Sequence, residues 1–194
     1  MDIDVLHWVV EHRESWPPLL TSLLKAFTAL SGPSFMAAYA VFWVGVSSVW
    51  PRNWQVDRYA RWVLPLGIII ANLLSHFLKA LIARPRPPEE FRLLTETNFA
   101  MPSGHAVGAA ALAMGITLLW RRWWACWWWL LALAVGLSRI YISVHWLSDV
   151  LVGWALGAVV MLAFWGLWQF GGRVRRPGGV PGEVPRVQPQ QSPQ

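Results

Sequence analysis

Five long apolar stretches dominate the chain, at residues 34–50, 59–82, 104–120, 124–143 and 146–170. A helix needs about 20 apolar residues to cross a bilayer core, so each stretch reads as a transmembrane helix of full or nearly full length. Gly and Ala recur in the third and fifth, which lets helix backbones approach closely in lipid. Between residues 17 and 32 the pattern changes. Leu19, Leu20, Leu23, Leu24, Phe27 and Leu30 follow helical spacing there, with Lys25 among them. That segment is too short to span and reads as an interfacial amphipathic helix. Residues 2–14 carry four acids, no long apolar run and no signal-peptide pattern. The tail at 177–194 is rich in Pro, Gly and Gln and has nothing to bury, so disorder is expected. The pattern predicts an all-α, polytopic membrane helix bundle of about five transmembrane helices plus an N-terminal interfacial amphipathic helix. The expected organisation is an acidic segment and interfacial helix at 1–33, a transmembrane domain at 34–170 and a cytoplasmic tail at 171–194.

Composition strengthens this picture. The chain is 56% hydrophobic and only 13% charged, about half the charged share of a soluble protein. Mean hydropathy is +0.40. A net charge of +6 invites a nucleic-acid reading. The cations do not form a basic face, however; they lie between apolar segments, as a topology signal requires, and no nucleic-acid partner is expected. Arg52, Arg58 and Arg61, then Arg121 and Arg122, then Arg173, Arg175 and Arg176 fall on one side if five helices span. The positive-inside rule makes that side cytoplasmic. The expectation is a multi-pass protein of the cell (plasma or inner) membrane with its C-terminus in the cytoplasm. The 16 Trp residues suit membrane interfaces, and six of them gather at 120–129 near the inner boundary. The single Cys126 has no partner for a disulfide and no metal-site spacing.

Charge inside apolar sequence is costly and marks function. Three such sites fall on the outer side. At the end of the second span, Lys79 and Arg86 are seven residues apart and would share a face if the helix continued. At the start of the third span, Pro102, Ser103, Gly104 and His105 combine a helix cap with free backbone N–H groups, which is an anion site. Between the last two spans lie Ser138, Arg139, His145 and Asp149, with Asp149 one helical turn after His145. Together they describe an oxyanion cradle of Lys79, Arg86, Arg139, Ser103 and the Gly104 amide, with two histidines and one carboxylate. Phosphate is its natural ligand, because Arg binds the oxygens in a fork and Lys adds a point charge. A His oriented by a carboxylate is an activated nucleophile, and a second His can protonate a leaving group. Metal-assisted phosphate chemistry normally uses clustered carboxylates. The cradle carries its own positive charge, so the reading is metal-independent phosphoryl transfer through phosphohistidine, with no cofactor.

The motifs K-x6-RP (Lys79 to Pro87), PSGH (Pro102 to His105) and SR-x5-H-x3-D (Ser138 to Asp149), in this order, resemble those of the type 2 phosphatidic acid phosphatase family. That family is similar in its pocket to vanadium haloperoxidases. The resemblance covers about residues 34–170. It implies that His145 attacks phosphorus, Asp149 orients it and His105 protonates the leaving oxygen. Lys79, Arg86, Ser103, Gly104 and Arg139 would hold the phosphate. Arg84 also precedes a proline, but the family spacing selects Arg86 and leaves Arg84 as a flanking or headgroup contact. Members usually have six transmembrane helices, one more than the pattern here supports. The resemblance implies a lipid phosphate or diphosphate phosphatase at the outer membrane face, with phosphatidylglycerophosphate, undecaprenyl diphosphate or phosphatidic acid as substrate. A phosphotransferase using the same phosphohistidine is the alternative. Haloperoxidase-like chemistry and non-catalytic lipid binding are more remote.

Overall fold

The computed structural model of the chain describes residues 1–49, 60–120 and 123–174. The orientation-setting Arg52, Arg58, Arg121, Arg122, Arg175 and Arg176, and the tail at 177–194, lie outside these residues. The described residues form seven α-helices with no strand among them. They are α1 (Asp2–Arg13), α2 (Pro18–Leu30), α3 (Pro33–Val49), α4 (Val63–Ile82), α5 (Gly104–Trp120), α6 (Cys126–Tyr141) and α7 (Leu147–Val174).

Val63–Ile82, Trp123–Tyr141 and Leu147–Phe170 are each long and apolar enough to cross a membrane. Helices α2 and α3 reach that length together, bent by 61° at their break, and α5 is a shorter apolar helix. The predicted amphipathic helix is therefore present, but it is joined to the next helix across a sharp bend. Pro18 opens α2 and Pro33 opens α3, where a missing N–H costs nothing. Gly32 sits in the short link between them, beside His105.

Helix α5 is the centre of the bundle and packs against α3, α4, α6 and α7. Its sequence explains why: Ala106, Ala109, Ala110, Ala111 and Ala113 are buried, and small side chains let four neighbours approach. The closest approach is to α7, where a Cβ on Gly157 would lie 2.2 Å from the carbonyl oxygen of Val107. The outer helices turn large apolar side chains away from the bundle. Leu73, Phe77 and Leu81 on α4, Leu130 and Leu137 on α6, and Val159 and Leu167 on α7 are all exposed. In water such a surface would aggregate; in lipid it is the expected exterior.

Helix α1 lies across one end of the bundle. Its Val5 and Val9 pack with Ala106 of α5, Ile140 of α6 and Val150 of α7. At its C-terminal end, Arg13 donates to the carbonyls of Phe91 and Tyr141 and to Ser143 Oγ. This ties α1 to both the 83–103 loop and the turn between α6 and α7.

Candidate active site

The motif residues meet at that same end. Lys79 closes α4, Gly104 and His105 open α5, Arg139 closes α6, and His145 and Asp149 flank the start of α7. Antiparallel succession puts the end of one helix beside the start of the next, so Lys79, His105, Arg139 and Asp149 converge. Lys79, Arg86, Ser103, Arg139, His145 and Asp149 are all buried, with Ser103 and Asp149 at 0% exposure.

The expected shared helical face of Lys79 and Arg86 does not form. Helix α4 stops at Ile82, and Ala83 adopts a left-handed conformation at φ 49°. The chain turns there, and Pro85, Pro87 and Pro88 beyond it keep it out of helix. Lys79 Nζ donates to the carbonyls of Phe99 (2.7 Å) and Ala100 (3.2 Å). Arg86 is held by Asn98, with Nε donating to its carbonyl at 2.7 Å and Nη2 to its side-chain oxygen. Both cations are thus positioned by the 83–103 loop.

His145 faces two ways. Arg86 Nη1 lies 3.3 Å from Nε2, and Asp149 Oδ2 lies 3.5 Å from Nδ1. A guanidinium only donates, so this contact needs the lone pair on Nε2 and the proton on Nδ1, facing the carboxylate. The latter distance is longer than a hydrogen bond, and among the described residues His145 Nδ1 has no hydrogen-bond partner. Burial pushes the His145 pKa well below 6.5, and Arg86, Arg139, Lys79 and His105 add to this. The ring is neutral at physiological pH.

Around the second histidine, His105 Nε2 lies 3.2 Å from the carbonyl of Thr28 on α2. A carbonyl only accepts, so this contact places the proton on Nε2. Arg139 Nη1 donates to Thr28 Oγ1 at 2.9 Å and lies 3.5 Å from His105 Nε2. Ser103 donates its amide to the Asp149 carbonyl at 3.0 Å, and its hydroxyl has no hydrogen-bond partner among the described residues. A Cβ on Gly104 would lie 3.3 Å from Pro33, so the glycine also admits the start of α3.

Sequence reasoning missed several neighbours. Glu96 of the loop pairs closely with Arg139 Nη2 and reaches Arg86 Nη2 at 3.6 Å. Its carboxylate therefore bridges two of the three cations of the cradle. Burial alone would raise the Glu96 pKa, but the charge and hydrogen bond of Arg139 and the charge of Arg86 outweigh it and lower it. Burial lowers Arg86 to about 10, opposed by Glu96. Nothing in the loop's aperiodic sequence marks Glu96 or Asn98. Thr28 belongs to the segment expected at the membrane interface, yet it is 1% exposed.

Arg84 is the clearest correction. It is not a peripheral contact: Nη1 donates to Asp149 Oδ1 at 2.5 Å. Ser138 Oγ donates to the Val135 carbonyl within its own helix, which makes it a packing residue. His76 is exposed and lines a cavity of about 350 Å³ with Lys79, Gly104, Asn72 and Ile69. Trp146 donates from Nε1 to the Pro85 carbonyl and lies against Arg84, 5.6 Å from ring centroid to guanidinium.

Comparison with known proteins places this arrangement. The chain is 33% identical over 104 residues to undecaprenyl-diphosphatase of Sulfolobus acidocaldarius, covering 49% of this chain and 48% of that protein. It is 27% identical over 153 residues to phosphatidylglycerophosphatase B of Bacillus subtilis, covering 74% and 72% respectively. The chain thus spans about half the length of the first relative and nearly three quarters of the second. Its fold matches the crystal structure of a transmembrane PAP2-type phosphatidylglycerolphosphate phosphatase from Bacillus subtilis, with a TM-score of 0.73 and 25% identity. That match covers 90% of this chain and 86% of the other. The sequence model of the PAP2 superfamily matches residues 60–173, which include all three motifs, and the chain belongs to that superfamily.

Proposed function

We propose that the protein is a membrane phosphatase that hydrolyses lipid phosphates or diphosphates through a phosphohistidine on His145, on the outer face of the membrane. The observation that carries this is the His145 ring, neutral, with its Nε2 lone pair turned to Arg86 and its Nδ1 toward Asp149. The names of the relatives support a lipid phosphate or diphosphate as substrate.

Phosphate oxygens take the place of the Glu96 carboxylate on Arg86 and Arg139, with Lys79, the Ser103 hydroxyl and the Gly104 amide completing the cradle. His145 Nε2 then attacks phosphorus. The N–P bond forms as the bond to the lipid oxygen breaks, and His105, entering the step as imidazolium beside the phosphate anion, gives that oxygen a proton and becomes neutral. Asp149 stabilises the charge that develops on the His145 ring. Water next attacks phosphorus, His105 takes its proton, and the N–P bond breaks to release inorganic phosphate. Lys79, Arg86 and Arg139 supply the positive charge that a metal gives elsewhere. The cavity beside Lys79, between α3 and α4, suits the apolar part of the substrate nearest its phosphate.

The test is phosphate release by detergent-purified protein from phosphatidylglycerophosphate, undecaprenyl diphosphate and phosphatidic acid, in EDTA. Activity on at least one of them is expected without added metal; a strict need for divalent cation sinks the mechanism. A lipid phosphotransferase would pass phosphate to an added alcohol in preference to water.

Glu96 yields a separate prediction. It competes for the cations that phosphate needs, so Glu96→Gln is expected to strengthen inhibition by orthovanadate by about threefold, the scale of a partly exposed ion pair. Weaker inhibition in the variant would show that Glu96 assists binding.

A further inference from the structure

Asp149 has two oxygens, and both are fixed. Oδ2 accepts the Trp146 amide at 2.9 Å and lies toward His145. Oδ1 accepts Arg84 Nη1 at 2.5 Å. Arg84 is fixed in turn. Its Nη2 donates to Asp2 Oδ2 at 2.7 Å, its Nη1 also donates to Ser148 Oγ at 2.7 Å, and the Trp146 ring lies against it. Asp2 further accepts the Ser148 amide at 3.0 Å and the Ser148 hydroxyl at 2.5 Å. One carboxylate from α1 thereby caps the first turn of α7 and anchors the guanidinium, and the helix N-terminus favours its charge.

The cations paired with Glu96 are Arg86 and Arg139. Arg84 is instead paired with Asp149 and Asp2. Burial works against its charge, but its hydrogen bond to Asp2 and the charges of Asp149 and Asp2 outweigh that and raise its pKa. A carboxylate held at one oxygen only can rotate about its Cβ–Cγ bond. Held at both, it keeps Oδ2 aimed at the His145 ring, the role an outer partner plays for an orienting carboxylate.

We propose that Arg84 is a positioning residue for the Asp149–His145 pair, itself locked by Asp2 and Ser148, so that α1 is part of the catalytic assembly. This rests on His145 being the nucleophile, as proposed above. It predicts a fault in turnover and not in phosphate binding.

The experiment compares Arg84→Ala, Arg84→Lys and Asp2→Asn with the wild type, using phosphate release from the lipid that the wild type hydrolyses best. Folding is checked by melting temperature and chromatographic profile. For Arg84→Ala, kcat is expected to fall about 10- to 100-fold, with KM and the orthovanadate inhibition constant changed by less than about threefold. Arg84→Lys keeps the charge without the fork and should lie between the two. Asp2→Asn, isosteric and partly exposed, should lower kcat by about threefold to tenfold. Because Arg84 acts through Asp149, adding Arg84→Ala to Asp149→Asn should cost less than about twofold more.

Unchanged kcat in both Arg84→Ala and Asp2→Asn overturns the inference. So does a loss of orthovanadate inhibition matching the loss in kcat, which would make Arg84 a phosphate ligand. Full additivity with Asp149→Asn also overturns it. If Arg84→Ala does not fold, Arg84→Lys and Asp2→Asn decide by the same kcat and inhibition readings. A wild type inert on all three lipids, or His145→Ala retaining activity, is a different result and removes the parent reading instead.

Discussion

His145→Ala is expected to abolish phosphate release, by about 10³-fold or more, with the protein still folded. The size follows from the role proposed for it: attack uses a nitrogen lone pair, and alanine has none. The His145 side chain is buried, and among the described residues Nδ1 has no hydrogen-bond partner, so removing the ring breaks one hydrogen bond, the 3.3 Å contact of Nε2 with Arg86. Orthovanadate inhibition should weaken far less than activity falls, because the arginines and Lys79 remain. Rapid quenching under alkaline conditions, where phosphohistidine survives, should trap label on the wild type and none on the variant. Appreciable turnover by His145→Ala would rule out attack by this residue. His105→Gln provides the contrast. It should lose most turnover on lipid monoesters, whose alkoxide leaving groups need a proton, and less on substrates with an acidic leaving group such as p-nitrophenol.

Gly157→Val should have the largest effect on stability. A Cβ there would meet the Val107 carbonyl oxygen at 2.2 Å, the Val107 carbonyl carbon at 3.0 Å and the Ala111 amide nitrogen at 3.0 Å. All three are backbone atoms of α5, so no rotamer change relieves the clash and the helices must part. Overpacking typically costs about 1–3 kcal/mol, and contact with main chain puts this position at the upper end or beyond. The melting temperature in detergent should fall sharply, or the protein should fail to elute as a single species. On the same helix, a Cβ added at Gly166 would meet nothing within 4 Å. Gly166→Ala should therefore be neutral or slightly stabilising, since Ala is the better helix former. Equal melting temperatures for the two variants would contradict the close packing of α5 on α7.

Much of this was legible in the sequence, for identifiable reasons. Apolar runs of membrane length give the helices, and helix succession alone brings Lys79, His105, Arg139 and Asp149 to one end. What escaped depends on contacts between distant residues, which leave no periodic trace. Arg84 and Arg86 both precede proline; the left-handed Ala83 and the 83–103 loop send one to Asp149 and the other to His145. Ala is not a residue that announces such a turn. Asp2 lies 82 residues from Arg84, and Thr28 lies 111 from Arg139. Glu96 sits in a loop with no pattern, and only its charge is visible before folding.

The contact of α5 with α7 has a mechanical meaning. His105 begins one of these helices, and Asp149 lies in the first turn of the other, with His145 just before it. Where backbone meets backbone, no compliant side chain lies between to absorb a displacement. The separation of the two helices beside His105 and Asp149 is thereby set by main chain against main chain, and no side-chain rearrangement can retune it.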